Sequence, residues 1–139
     1  MATFFSDLHA QMLGGESCAP AVVAASTVYN GASIDLLGAD GPVFGYLTVG
    51  TVSASTVSYD VHLEESTSGT GSWTSITGGT FTGGTESTLT QSTWLTSQYR
   101  SKRYVRAVAS ITGTSVTSVP IHVSVLSMKK ILGTSGTIT

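Results

Sequence analysis

Between Thr56 and Ser66 the sequence reads TVSYDVHLEES, and its side chains alternate in character. Val57, Tyr59, Val61 and Leu63 fall on one side, and Ser58, Asp60, His62 and Glu64 fall on the other. An extended strand, with its period of two, puts those sets on opposite faces, whereas a helix mixes them. The segment therefore asks for a sheet with one face buried and one solvated, which antiparallel pairing provides. The pattern recurs in SKRYVRAVASIT, where Val105, Ala107, Ala109 and Ile111 alternate inward against Tyr104, Arg106, Val108 and Ser110. It recurs again in VTSVPIHVSVL, where Val119, Ile121, Val123 and Val125 oppose Pro120, His122 and Ser124. Pro120 points to an edge strand or to a position whose N–H is not needed.

The remaining sequence suits short strands and tight turns. About three residues in ten are Ser or Thr and 16 are Gly, a usage that disfavours long helices. APAVVAAST reads as a first strand, with Pro20 near its start or on an edge. YNG and ADGP read as turns around a short strand ASIDLLG, and VFGYLTVG as a strand burying Val43, Leu47 and Val49. STSGTG is a turn, SWTSIT a strand carrying Trp73 and Ile76, and TFT a short strand between glycine pairs. ESTLTQSTWLTSQ is weakly patterned and reads as loop plus one short strand. About eight strands with closely spaced turns give an all-β fold, a single antiparallel β-sandwich resembling a jelly roll. Phe4, Phe5, Leu8, Met12 and Leu13 recur at roughly helical spacing behind the plausible caps Ser6 and Asp7. The expected organisation is an N-terminal arm or short helix over 1–18, the sandwich over 19–127 and an extended C-terminal arm over 128–139.

Chemistry is sparse. Cys18 is the sole cysteine, so no intrachain disulfide forms, and with no His or Lys nearby in sequence it reads as a small buried hydrophobe. His9, His62 and His122 each stand apart from Cys, Asp and Glu at metal-ligand spacing. Asp60, His62 and Glu64 share a strand face, which reads as a solvated surface; Glu64 and Glu65 point to opposite faces and form no local acid/base pair. No nucleophile elbow, P-loop or dinucleotide fingerprint occurs. The expectation is a non-enzymatic protein with no cofactor and no metal. MATFFSDLHAQMLGG lacks the features of a secretory signal, and no apolar run is long enough to span a bilayer as a helix, so synthesis in a cytoplasm and no membrane partner are expected.

Charge is divided along the chain. All eight carboxylates lie between Asp7 and Glu86, and all six bases between Arg100 and Lys130. Four of the bases fall in YRSKRYVRA. Nucleic acid fits this run poorly, because the net charge is −2 and a strand divides the bases between two faces. Read as a strand, Arg100, Lys102, Tyr104 and Arg106 face outward, and Arg103 faces the core side, where it needs a carboxylate or carbonyls. The outward group, set against the acidic first part, reads as half of a complementary contact within the fold or between copies.

Two pieces, YDVHLEESTSGTGSWTSI and YRSKRYVRAVASITG, together with FSDLHAQM, APAVVAAST and GASIDLLGADGPVF, resemble a family of small structural proteins of tailed phages and prophages. Its recurrent pattern is a Leu-Glu-Glu-Ser strand, a Gly/Ser turn and a Ser-Lys-Arg-Tyr-Val-Arg strand, and the resemblance covers about residues 4 to 126, weakest over 78–98. It implies a virion protein on the capsid surface, a decoration (cement) or minor head protein bound to the major capsid protein lattice as a homo-oligomer, a trimer at lattice three-folds. Arg100, Lys102, Tyr104 and Arg106, with Phe4 and Phe5 in the N-terminal arm, are the expected interaction residues. A sparsely charged surface fits that role, since hydroxyls cost less to desolvate than ions and repeated weak contacts add by avidity. The same pieces resemble discoidin-like jelly rolls more loosely, which implies a carbohydrate- or surface-binding module as the alternative, beside a tail or neck component.

Overall fold

The structure is a computed structural model describing residues 12–24, 27–50, 52–81, 85–89, 92–114 and 118–129. Among the described residues ten strands run in order: β1 (Met12–Ala24), β2 (Thr27–Asn30), β3 (Ile34–Asp35), β4 (Ala39–Val49), β5 (Val52–Ser66), β6 (Thr74–Thr80), β7 (Thr85–Leu89), β8 (Ser92–Gln98), β9 (Tyr104–Thr114) and β10 (Ser118–Lys129). They form two antiparallel sheets, β1-β10-β4-β8 and β2-β9-β5-β6. β3 continues the line of β2 along β9, and β7 continues that of β6 along β5, so each pair is one interrupted strand. Eight strands remain, in the sheet orders 1-8-3-6 and 2-7-4-5, which is the jelly roll. The expected all-β sandwich is thus the fold.

The alternation does what the sequence asks. Tyr59, Val61 and Leu63 of β5, and Val105, Ala107, Ala109 and Ile111 of β9, meet Val43, Leu47, Val49, Val119, Ile121, Val123 and Val125 of the other sheet in one core. Cys18 joins that core, and burial pushes its thiol pKa up to about 11, so the sulfur stays a neutral packing group. Gly45 also faces inward, keeping the phase of β4 where no apolar side chain marks it.

Several boundaries differ from expectation. β10 is an interior strand, with β1 on one side and β4 on the other. Pro120 is tolerated there because its pairing with β4 begins only at Ile121↔Val49, and its carbonyl accepts the Gly50 N–H at 2.8 Å beyond that ladder. Pro20 lies on the edge strand β1, in the irregular stretch between Cys18 and Ala21. Residues 85–98 form two strands rather than one, because β5 and β4 supply ladders that a polar sequence only has to match. The turn expected at ADGP falls earlier, at Leu37–Gly38, where the Asp35 carboxylate accepts the Leu37 N–H at 3.0 Å. β1 takes in Met12 to Cys18 and β10 takes in Met128 and Lys129, so these residues, expected in the arms, belong to the sandwich. The helical reading ends in this strand at Met12 and Leu13; its earlier part lies outside the described residues.

Ser17 joins the sheets through the core. The break between β2 and β3 leaves the Ala107 N–H of β9 without a strand partner on that side. The Ser17 hydroxyl accepts that N–H at 2.7 Å and donates to the Ala32 carbonyl at 2.8 Å. A backbone irregularity between Glu16 and Cys18 frees Ser17 for this. Gly31 is required beside it, since a Cβ there would lie 2.6 Å from the Ser17 carbonyl oxygen.

Candidate functional site

The basic run does not form one strand. β9 begins at Tyr104, and residues 99–103 are a loop that closes one end of the sandwich. The reason is Glu65. This carboxylate follows the inward phase of β5 and is buried at the strand's end, where it accepts the Ser101 N–H at 2.6 Å, the Ser101 hydroxyl at 2.5 Å and the Lys102 N–H at 3.1 Å. Burial pushes its carboxyl up, but the bonds from Ser101 and Lys102 and the Lys102 charge outweigh it and hold the group below its ordinary value. A buried acid with three donors fixes a loop that would otherwise continue the strand.

Each expected site residue of the basic run is then placed by an intramolecular contact. Arg100, half-buried, gives Nη2 to the Leu36 and Ala39 carbonyls at 3.0 and 2.8 Å and Nη1 to the Lys102 carbonyl at 2.6 Å; its Nε has no partner among the described residues. It clamps the 36–39 turn and does not face outward as a free cation. Lys102 Nζ donates to the Thr74 hydroxyl at 2.6 Å. Tyr104 lies against Gly69, whose φ of +74° and lack of Cβ let the 67–71 turn sit on the ring. Arg106 does face outward, and gives Nε and Nη2 to Glu64 at 2.9 and 2.7 Å while its guanidinium stacks 4.4 Å from the Trp73 ring. Arg103, expected toward the core side, instead lies on the surface and grips Asp35 through two bonds of 2.8 and 2.6 Å. That bond lowers the Asp35 carboxyl, with burial opposing it. Phe4 and Phe5 lie outside the described residues. The two parts of the charge split therefore meet inside one molecule at Glu64, Glu65 and Asp35.

Two outer faces are left. On β2-β9-β5-β6, His62 Nδ1 lies 3.1 Å from Asp60 and Nε2 lies 3.7 Å from Glu64, so a connected row runs Asp60, His62, Glu64, Arg106, Trp73. The register brings Asn30 into the His62 row, both opposite Val108. Among the described residues no three His, Cys, Asp or Glu groups are arranged to hold a metal ion. On β1-β10-β4-β8 the outward positions hold an apolar patch at one end among polar groups: Met12, Met128 and Asp40 in one row, Gly14, Leu126, Phe44 and Ser97 in the next, then Glu16, Ser124 and Tyr46, and then His122 with Thr48. Phe44, Leu126, Met12 and Met128 are half-buried and Tyr46 is exposed, with no layer of described residues over them.

The sequence reading missed Ser17, the role of Glu65 and this apolar face. Glu65 did leave a signal: an acid on the inward phase of TVSYDVHLEES must find donors. Ser17 left none, since its partner is 90 positions away.

Comparison with protein-family models and with curated proteins returns no match. Among solved structures, the crystal structure of the PBSX exported protein XepA is similar in fold, with a TM-score of 0.53 at 20% identity. The similarity covers 86% of this chain and 38% of that one, so this chain spans well under half the length of that neighbour.

Proposed function

We propose that this chain is a non-enzymatic structural protein of a tailed-phage particle that docks on the capsid lattice as a decoration protein, repeated as a homo-oligomer. The observation that carries the docking is a patch on the outer face of β1-β10-β4-β8, where Met12, Phe44, Tyr46, Leu126 and Met128 fall in three adjacent rows at positions that a solvated sheet would fill with polar side chains. Such a face gains by being covered and has little charge to desolvate. The phage context is supported by the resemblance of the LEES and SKRYVR strands, and by a fold shared with a protein of the PBSX prophage. The cations of the basic run are spent within the fold, so the apolar sheet face rather than Arg100 or Arg106 makes the contact.

The test is co-sedimentation of purified protein with undecorated heads. Wild type pellets with the heads, and Leu126→Asp does not while keeping its circular dichroism and melting temperature. No co-sedimentation of wild type at any salt concentration overturns the proposal, as does undiminished binding by Leu126→Asp together with Tyr46→Asp.

A further inference from the structure

We propose that the Asn30–Gly31 peptide is a spontaneous modification site held shut by the Ser17 junction. It is inert while the sandwich is closed, it converts to aspartate and isoaspartate when the junction opens, and the conversion then keeps the junction open. Asn30 is the chain's only asparagine, and a glycine follows it. Without a Cβ, the glycine leaves its nitrogen unshielded and its backbone free to turn, which favours cyclisation. The Gly31 nitrogen bonds to the side-chain carbonyl carbon of Asn30 and gives its proton to the departing amide, which leaves as ammonia. Water then opens the cyclic imide at either carbonyl. Opening at the main-chain carbonyl routes the backbone through the side chain, as isoaspartate.

The folded chain holds both reacting groups and forbids the step. Asn30 is exposed and its amide makes no hydrogen bond among the described residues, so the electrophile is free to rotate. Ring closure, however, needs Asn30 to leave the extended ψ that its pairing with Val108 imposes. It also needs the Gly31 nitrogen to lose its proton, and that N–H is buried and donates to the Ala107 carbonyl at 2.8 Å. The next residue is pinned as well: the Ala32 N–H donates to the Ser17 carbonyl at 2.5 Å, and the Ala32 carbonyl accepts the Ser17 hydroxyl at 2.8 Å. Gly31 has no room to turn, since even a Cβ would lie 2.6 Å from the Ser17 carbonyl oxygen and 2.9 Å from that of Ala107. Reaction therefore proceeds only from molecules whose junction has opened, at a rate set by their population. Isoaspartate lengthens the main chain by a methylene at the last pair of the β2-β9 ladder and adds a charge beside the buried Gly31, so the junction does not close over it.

The experiment follows the full chain at mildly alkaline pH by peptide mass mapping, which reads conversion as the mass gain from amide to acid at Asn30. Expected is conversion of the folded chain at least about a hundredfold slower than that of the urea-unfolded chain. Ser17→Ala speeds conversion of the folded chain at least about tenfold, and Asn30→Gln shows no gain at that position over the same period. Where Ser17→Ala does not fold, wild type in urea below its transition takes its place, its conversion rising in step with hydrogen exchange of the Gly31 amide. The converted fraction, separated by its added charge, melts at least about 3 °C below wild type. Folded wild type converting as fast as the unfolded chain overturns the proposal, as does a rate that neither Ser17→Ala nor urea below the transition raises. A converted fraction that melts like wild type overturns the claim that conversion keeps the junction open.

Discussion

The two outer faces of this sandwich are built from the same alternating strands and solve the same problem in opposite ways. On β2-β9-β5-β6 the outward positions are charged and cross-linked, with Glu64 on Arg106, His62 between Asp60 and Glu64, and Asp35 on Arg103 at the loop end. On β1-β10-β4-β8 they include the patch Met12, Phe44, Tyr46, Leu126 and Met128 beside Asp40, Glu16, Ser124, His122 and Thr48, and among the described residues the one side-chain ion pair there is His122 with Glu16 at 3.2 Å. Period-two alternation fixes which residues leave the core, but not what they meet outside. A face that pairs its own charges is finished in water, and a face of half-buried apolar side chains is finished only by a partner.

Cutting the link between the sheets has the largest expected effect. Ser17→Ala orphans the buried Ala107 N–H and lowers unfolding stability by about 3 kcal/mol in urea melts. Retention of full stability would mean that the Ser17 hydroxyl adds nothing to the apolar core and the backbone bond from the Ala32 N–H to the Ser17 carbonyl. Glu65→Gln follows, at about 2 kcal/mol, because the loop backbone it releases can turn partly to water.

The pH dependence sharpens the same point. The folded Glu65 carboxyl lies below its unfolded value, so its contribution is complete at neutral pH and is lost as pH falls through the ordinary carboxylate range toward the folded value. Thermal melts across that range should therefore be flatter for Glu65→Gln than for wild type. A slope unchanged by Glu65→Gln would assign acid sensitivity elsewhere.

Smaller effects separate the faces themselves. A double-mutant cycle on Glu64 and Arg106, both less than one-fifth exposed, should give a coupling of about 1 kcal/mol. Arg106→Glu should accordingly weaken the isolated domain, where an assembly contact would have spared it. Leu126→Asp on the apolar face should change stability by less than about 0.5 kcal/mol, since its side chain already meets water, while abolishing head binding. Asp35→Asn, at the exposed pair with Arg103, should leave the melting temperature within experimental scatter at neutral pH.

The strands that alternate strictly, β5, β9 and β10, were legible with their inward residues because burial on one face dictates their pattern. β7 and β8 were not legible as two strands, since TESTL and STWLTSQ carry little alternation and owe their extended form to β5 and β4. Pro120 left two readings open for a related reason, and the one with an unneeded N–H holds: the sequence shows that an N–H is missing, but the place where the neighbouring ladder ends is a tertiary fact. The basic run was readable as charge and not as geometry. Its loop depends on Glu65, 36 positions earlier, and the partners of Arg103 and Arg106 lie 68 and 42 positions away.

The register of β1 on β10 has one more outcome. Met12 lies opposite Met128, so the chain enters and leaves the sandwich through adjacent strands at one end. Whatever polypeptide is joined before Met12 or after Lys129 starts within a few ångströms of the other junction, on the order of one strand spacing. A unit wired this way can be spliced into a surface loop of a host protein without prying that loop open, or be permuted by joining its ends and cutting elsewhere. The fold is in that sense a cassette, and a fluorescent tag or affinity handle attached at either junction would project from the same pole.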